Sequence, residues 1–275
     1  MQLPGNDNIL RGGWAQPKDT AWIGASGHSQ LAPCQSICQT PQRRPCAITA
    51  LLSFTDLAVF PPGAPTQEPI IRLGTGTIQG GERVALTGPS GIGKSTLLRG
   101  LVRLNPISAA RYQINEQDGR TLAPRTLRRA CTYIAQVPMA LAGDAIENGR
   151  LALHYGGPLV EAWEAQVSAM LLMVGLEEVH WRKEAGSLSV GQRMRLAIAR
   201  GLLVNPSILL LDEPFAPLDT AARDIVLEAL SKWVDADHAL VAILHERSDV
   251  ERLATTVWEM PDRITLRAAA MEVTP

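Results

Sequence analysis

No stretch of this chain approaches the roughly 20 consecutive apolar residues that cross a bilayer as a helix. The longest apolar run, residues 169–176, includes Gly175 and is less than half that length. The chain is therefore not expected to span a membrane by itself. An excess of one charge is also missing. There are 26 Lys and Arg against 27 Asp and Glu, a formal net charge of −1. A nucleic-acid binder carries a basic footprint, so no nucleic-acid partner is expected. The chain does not open on a charged-then-apolar layout, and no secretory signal is expected. No internal repeat is found. Cysteine is scarce: Cys34, Cys38, Cys46 and Cys131. The first three follow C-x3-C-x7-C, which misses the common C-x2-C zinc spacing and has no clear fourth ligand. They read as free thiols in a reduced, cytosolic setting.

What is present is 275 residues at 46% hydrophobic, enough for one substantial domain with a subdomain and a tail. Residues 1–46 form the tail. Pro4, Pro17, Pro33, Pro41 and Pro45 interrupt every periodic pattern, so an irregular extension is expected. The domain proper is expected over 47–270. Its opening stretches are rich in β-branched residues and broken by Gly and Pro, which suggests several strands. "STLLRGLVRL" reads as a helix and "CTYIAQ" as a short buried strand. "PLVEAWEAQVSAMLLMVG" predicts a helix over 158–175. It starts at Pro158, ends at Gly175 and carries Val160, Trp163, Val167, Met170, Leu171 and Val174 on one face. "SVGQRMRLAIARGLLVNP" predicts a helix capped by Ser189 and ended by Asn205-Pro206. "SILLLD" and "ALVAILH" are continuous apolar runs, as in strands buried on both faces of a parallel sheet. "AARDIVLEALSKWV" lies between them as an amphipathic helix, and "TTVWEMPDRITLRAA" reads as a hairpin turning at Pro261-Asp262. The alternation predicts an α/β fold with a parallel core.

Two motifs carry chemistry. "GPSGIGKST" follows the strand "RVALT", precedes a helix and fits G-x-x-x-x-G-K-[ST] with Gly88, Gly93, Lys94 and Ser95. Glycines let the backbone curl until successive N–H groups face phosphate oxygens, here around Ser90, Gly91 and Thr96. The helix start adds its positive dipole end. The Lys94 ammonium is expected on the β and γ phosphates and the Ser95 hydroxyl, a hard oxygen, on Mg²⁺. The second motif, "SILLLDEP", is an apolar strand that ends in Asp212 and Glu213. By itself it also describes an acidic turn. After a phosphate loop, Asp212 suits Mg²⁺, and Glu213 suits the attacking water.

Leu188-Ser189-Val190-Gly191-Gln192 stands about twenty residues ahead of that acidic pair. With it the sequence resembles the ATP-binding cassette (ABC) ATPase family over roughly residues 50–265, a P-loop NTPase fold with a parallel core sheet, an antiparallel β subdomain and an α-helical subdomain. The family signature is LSGGQ, and Val190 stands where glycine is usual. "YIAQVP" supplies Gln136 at the Q-loop and "ILHE" supplies His245 as the switch histidine. "APLD" supplies Asp219 at the D-loop, with Ala216 and Pro217 where Ser and Ala are common. Phe60 stands where the family stacks an aromatic ring on adenine, although "PPGAPTQEP" puts it further from the phosphate loop than usual.

The resemblance implies a head-to-tail dimer. Ser189, Gly191 and Gln192, with Asp219, then complete the ATP site on the partner cassette. Gln136 contacts Mg²⁺ and water, and His245 holds Glu213 and the water in line. Residues 137–187 are expected as the helical subdomain, with Val137, Met139 and Leu141 lining a groove for a membrane partner. The implied protein is the ATP-hydrolysing subunit of an ABC transporter, using ATP and Mg²⁺. It is peripheral on the cytoplasmic face of the membrane, paired with a second ABC subunit and with a separate membrane-spanning permease. The competing reading is a soluble single-cassette ABC ATPase that acts as an assembly factor. A two-cassette translation factor does not fit one cassette. The DNA-repair branch needs a long coiled coil between Gln136 and Ser189, and only 53 positions separate them. A simple P-loop kinase leaves the signature and His245 unexplained. Because the tail lacks any periodic pattern, deleting residues 1–46 should leave ATP binding and melting temperature nearly unchanged. Calorimetry of the truncated chain checks this, and a fall of several degrees would mean the tail packs on the domain.

Overall fold

The structure, a computed structural model, describes residues 50–63, 68–159 and 161–271. The expectations for residues 1–46, with Cys34, Cys38 and Cys46, and for Val160 lie outside these residues.

The first strands are β1 (Ala50–Val59), β2 (Ile71–Gln79) and β3 (Arg83–Thr87). After them come helix α1 (Lys94–Leu101) and the short strands β4 (Ile107–Ser108), β5 (Arg111–Ile114) and β6 (Gln117–Asp118). Helix α2 (Pro124–Ala130) leads to β7 (Cys131–Ile134). Three helices intervene before the next strand: α3 (Ala145–Gly156), α4 (Trp163–Met173) and α5 (Val190–Val204). Then β8 (Ile208–Leu211), α6 (Thr220–Trp233), β9 (Ala239–Ile243) and α7 (Arg247–Leu253) alternate. The hairpin β10 (Thr256–Glu259) and β11 (Arg267–Ala270) ends the described chain.

Two sheets result. One is antiparallel, in the order β2-β1-β5-β6, with β4 also on β1. The other runs β11-β10-β3-β9-β8-β7, and all of its pairs are parallel except β10–β11. Side chains alternate across a strand, and both faces of this second sheet are covered. Ile208, Leu210, Val241 and Ile243 join one buried cluster with Phe54, Leu97, Tyr112 and Trp258. Leu209, Leu211, Leu240 and Ala242 join the other, with Val167, Leu171, Met194 and Leu202 from the helices. This double burial is why "ILLL" and "ALVAI" contain no polar residue. Phe54 on β1 meets Trp258 on β10 edge to face, centroids 6.2 Å apart, and ties the two sheets together.

Helix α4 is shorter than the pattern predicts. It starts at Trp163 instead of Pro158, because Gly157 and Pro158 leave α3 in an extended segment and residues 161–162 form a turn. The expected face survives: Val167, Leu171 and Val174 are buried and Trp163 and Met170 partly so. Helices α2, α3 and α7 and strands β4, β5 and β6 were not anticipated from the sequence. Helix α3 is the instructive case. Asp144 caps it by accepting from the Glu147 N–H at 2.8 Å, but Asn148-Gly149 reads as a break. The glycine is there because α4 lies against it. A Cβ on Gly149 would fall 2.3 Å from Val167 Cγ1.

Valine has a stiff χ1 and cannot swing aside. Gly149→Ala should therefore destabilise the chain by about 1–3 kcal/mol, and adding Val167→Ala should recover part of that loss. Denaturant titration of the single and double variants checks the coupling. Strictly additive losses would mean the two helices can separate at no cost.

Candidate nucleotide site

Strands β3, β9, β8 and β7 are parallel neighbours, so their carboxyl ends open on one edge, where ligands of open α/β sheets bind. Every polar residue singled out near the phosphate loop leaves one of these ends. The loop itself follows β3. Gly88 (φ 140°) passes so close to the Met260 carbonyl that a Cβ would stand 2.2 Å from its oxygen. Gly93 (φ 116°) turns the chain into α1 at its N-cap. Ser90 and Gly91 are exposed on the loop, and Thr96 is partly buried in the first turn of α1. The Lys94 ammonium folds back on the loop, donating to the carbonyls of Gly88 at 2.8 Å and Pro89 at 3.0 Å. Burial pulls this ammonium below the ordinary lysine range, and the carboxylates of Glu213 and Asp212 pull it back.

Asp212, just past β8, is 1% exposed. A buried carboxylate needs partners, and it has two. Ser95 Oγ donates to Oδ1 at 2.8 Å, and the Tyr133 hydroxyl donates to Oδ2 at 2.7 Å. Arg99 Nε in turn donates to the Tyr133 oxygen at 3.2 Å. Burial, followed by the bond to Asp212, pushes the Tyr133 phenol up to about 12. Glu213 follows with φ at +51°, a left-handed turn that side chains other than glycine seldom adopt. Its carboxylate is held at both oxygens. Gln136 Nε2 donates to Oε2 at 2.8 Å, and His245 Nε2 lies 2.9 Å from Oε1. The tertiary fold thus gathers Gln136, Glu213 and His245 into one cluster, one residue from the Ser95–Asp212 pair.

Ser95 Oγ and Asp212 Oδ1 are hard oxygens in contact beside the phosphate loop, and the Gln136 amide presents its nitrogen to the adjacent Glu213 carboxylate. This donor set fits Mg²⁺, which keeps several waters and takes one or two protein ligands plus phosphate oxygens. No cluster of three or more His, Cys, Asp or Glu suited to holding a metal occurs among the described residues, so the set does not resemble a dedicated protein cage.

The signature residues form a second, separate group. Ser189 caps α5 with a reciprocal capping box: its Oγ accepts from Gln192 N at 3.2 Å, and its N–H donates to Gln192 Oε1 at 2.9 Å. Gly191 abuts the Pro217 carbonyl, 2.8 Å from the point a Cβ would occupy. Two residues beyond Pro217, Asp219 caps α6, accepting from Ala222 N at 2.8 Å. Among the described residues, no hydrogen bond joins Ser189, Gly191, Gln192 or Asp219 to the phosphate loop or to Glu213. Phe60 is half-buried immediately after β1. Its neighbour Val59 pairs with Ile71, and the Ile71 side chain packs beside Gly93. That puts the end of β1 on the phosphate-loop side.

Comparison with known proteins gives the family. The ABC transporter family profile matches residues 74–216, just over half of the chain. The chain is 36% identical over 191 residues to the taurine import ATP-binding protein TauB of Pseudomonas aeruginosa, covering 68% of this chain and 71% of that protein. The chain belongs to the ABC transporter family. Its ATPase cassette is also 35% identical to the molybdenum import ATP-binding protein ModC of Rhodobacter capsulatus, covering 63% of this chain and 48% of that one. It is 31% identical to ABC transporter B family member 13 of Arabidopsis thaliana, but spans only 16% of that protein. Among solved structures, the cassette resembles the ATP-binding subunit of an ABC transporter with a TM-score of 0.70, at 24% identity over 80% of this chain and 90% of that one. It also resembles an ATP-binding cassette in a post-hydrolysis dimer bound to ADP and Pi, with a TM-score of 0.68 at 26% identity over 80% of this chain and 99% of that one.

Sequence reasoning missed Tyr133 and Arg99 in this cassette. The available signal was a tyrosine in an otherwise buried strand, since a buried phenol needs a hydrogen-bond partner. Tyr133→Phe leaves the ring in place and deprives a buried carboxylate of one donor. It should cost about 1.5–3 kcal/mol of stability, read by denaturant titration without nucleotide. A stability equal to the parent's would mean that water replaces the hydroxyl.

Proposed function

We propose that this cassette hydrolyses ATP to ADP and phosphate to drive transport through a separate membrane-spanning permease, working as a head-to-tail dimer on the cytoplasmic face of the membrane. The observation that carries the chemistry is the Glu213 carboxylate, gripped by Gln136 and His245 beside the Ser95–Asp212 pair. The loop from Gly88 to Thr96 takes the phosphates on its backbone N–H groups, and Lys94 exchanges its own loop carbonyls for the β and γ oxygens. Ser95, Asp212 and Gln136 would hold Mg²⁺, which would neutralise phosphate charge. Glu213 orients a water in line with the γ-phosphorus and accepts its proton as the new P–O bond forms and the bond to ADP breaks. His245 fixes the carboxylate and faces the γ-phosphate. Phe60 offers its ring to the adenine. The partner cassette's signature helix brings its N–H groups to the same γ-phosphate, with the partner's Asp219 close by.

Transport is supported by the import functions in the names of TauB and ModC. No helix among the described residues is long and apolar enough to cross a membrane. A groove of about 530 Å³ between β7, α3 and α5 supports a docking site for that permease. Met139, Leu141, Leu151 and Tyr155 line it. Val137, expected there, is 79% exposed and lies outside the lining. Of the two helices on the groove, α3 falls within residues 137–187, where the helical subdomain is expected, and α5 follows them.

Glu213→Gln keeps the side-chain size but cannot take the proton. It should abolish turnover, retain ATP and run as a dimer in Mg-ATP and a monomer in ADP. Adding Ser189→Arg should abolish the dimer while each monomer still binds one ATP. Light scattering and nucleotide titration on the same samples check this. A double variant that still dimerises would remove the signature from the interface. Loss of ATP binding would make Ser189 a cap for its own subunit only.

A further inference from the structure

The capping box uses the Gln192 carbonyl and leaves its amide nitrogen directed elsewhere. That nitrogen lies 2.9 Å from His180 Nε2. His180 closes the 3-10 turn Glu178–His180, just ahead of the signature. The turn is pinned through the next residue. Trp181 donates its indole N–H to the Leu176 carbonyl at 2.7 Å, and its own carbonyl accepts from Ala145 N at 3.0 Å, at the first residue of α3.

The proton arrangement follows from the partners. Ser189 N–H requires an oxygen, so Gln192 must present Oε1 to it and NH₂ to the histidine. His180 Nε2 is then the acceptor, which puts the ring proton on Nδ1. The opposite tautomer sets two donors against each other 2.9 Å apart, and flipping Gln192 only moves that conflict onto Ser189 N–H. With Nδ1 protonated, the one remaining conflict is with Lys183 Nζ, 3.2 Å away. Lys183 is exposed, and its long stem lets the ammonium turn from the ring to water.

From this geometry we infer that His180 is a positioning residue for the signature: its Nε2 lone pair holds the Gln192 amide, and through it the capping box that aims the start of α5 at the partner's nucleotide. The inference rests on the head-to-tail reading proposed above. Among the described residues His180 makes no hydrogen bond to the phosphate loop, Asp212 or Glu213, so it acts on the partner's site and not on its own.

The test uses the full chain in the Glu213→Gln background. His180→Phe keeps a ring and removes the acceptor. His180→Gln restores an acceptor oxygen. Dimerisation in Mg-ATP is followed by light scattering over a concentration series, with nucleotide affinity and melting temperature measured on the same proteins. His180→Phe should weaken the ATP-driven dimer by about tenfold, the scale of one hydrogen bond, with ATP affinity per monomer unchanged. His180→Gln should return most of the loss. A Phe variant that dimerises like its parent overturns the role of His180, and so does a loss that the Gln variant fails to restore, since packing then explains it. If the parent Glu213→Gln protein itself stays monomeric in Mg-ATP, the head-to-tail reading falls first and this inference falls with it.

Discussion

A carboxylate at 1% exposure is the constraint on which the site is built. Asp212 cannot sit in that position as a charge unless its oxygens are met, and the two groups that meet them come from different places in the chain. Ser95 belongs to the helix that follows β3, and Tyr133 belongs to β7. The bond to Ser95 spans 117 positions in sequence and the bond to Tyr133 spans 79. Satisfying one buried charge therefore fixes the phosphate-loop helix and the outer parallel strand against β8. The same carboxylate that a divalent cation would use also ties these elements together.

Glu213 then depends on Asp212. The chain leaves β8 with Asp212 inside the fold, and the next residue turns into the left-handed region at φ +51° to bring its own carboxylate to Gln136 and His245. Such a conformation is costly for glutamate, on the order of 1–3 kcal/mol. It persists because both oxygens are bound. Three neighbouring strand ends supply the cluster: Gln136, Glu213 and His245 each stand two residues past the end of β7, β8 and β9. Parallel pairing is what makes this possible, since it puts all three carboxyl ends on one edge.

The signature follows a different logic. Its residues are held by local geometry, a capping box within α5 and a glycine seated on the Pro217 carbonyl, and among the described residues no hydrogen bond joins them to the phosphate loop of their own chain. A helix start preorganised in this way suits the proposed site completed by a second copy. Glycine serves a related purpose elsewhere in the helical layer. Gly149 and Gly201 sit inside helices, where a side chain would run into Val167 and into Ile134 and Leu209. They let the helices approach each other and the sheet.

The sequence by itself determined the phosphate loop, the acidic strand end, the capped signature helix and the doubly buried strands "ILLL" and "ALVAI". Each is a local pattern whose physical reason lies within a few residues: backbone curvature, a cap, or apolar residues on both faces. It also pointed to Gln136 and His245, but only through family likeness, because a lone Gln or His after a strand carries no local signal. The tertiary structure alone decided what depends on neighbours distant in sequence. It showed that α3 continues through Asn148-Gly149 because α4 needs the space, and that α4 starts at Trp163, past the extended segment left by Gly157-Pro158. It showed that the Tyr133 hydroxyl donates to Asp212, and that the Gln192 amide nitrogen lies beside His180 Nε2. A buried charge, a close helix crossing and a histidine contact all depend on partners that the chain meets only after folding, so no window of sequence contains them.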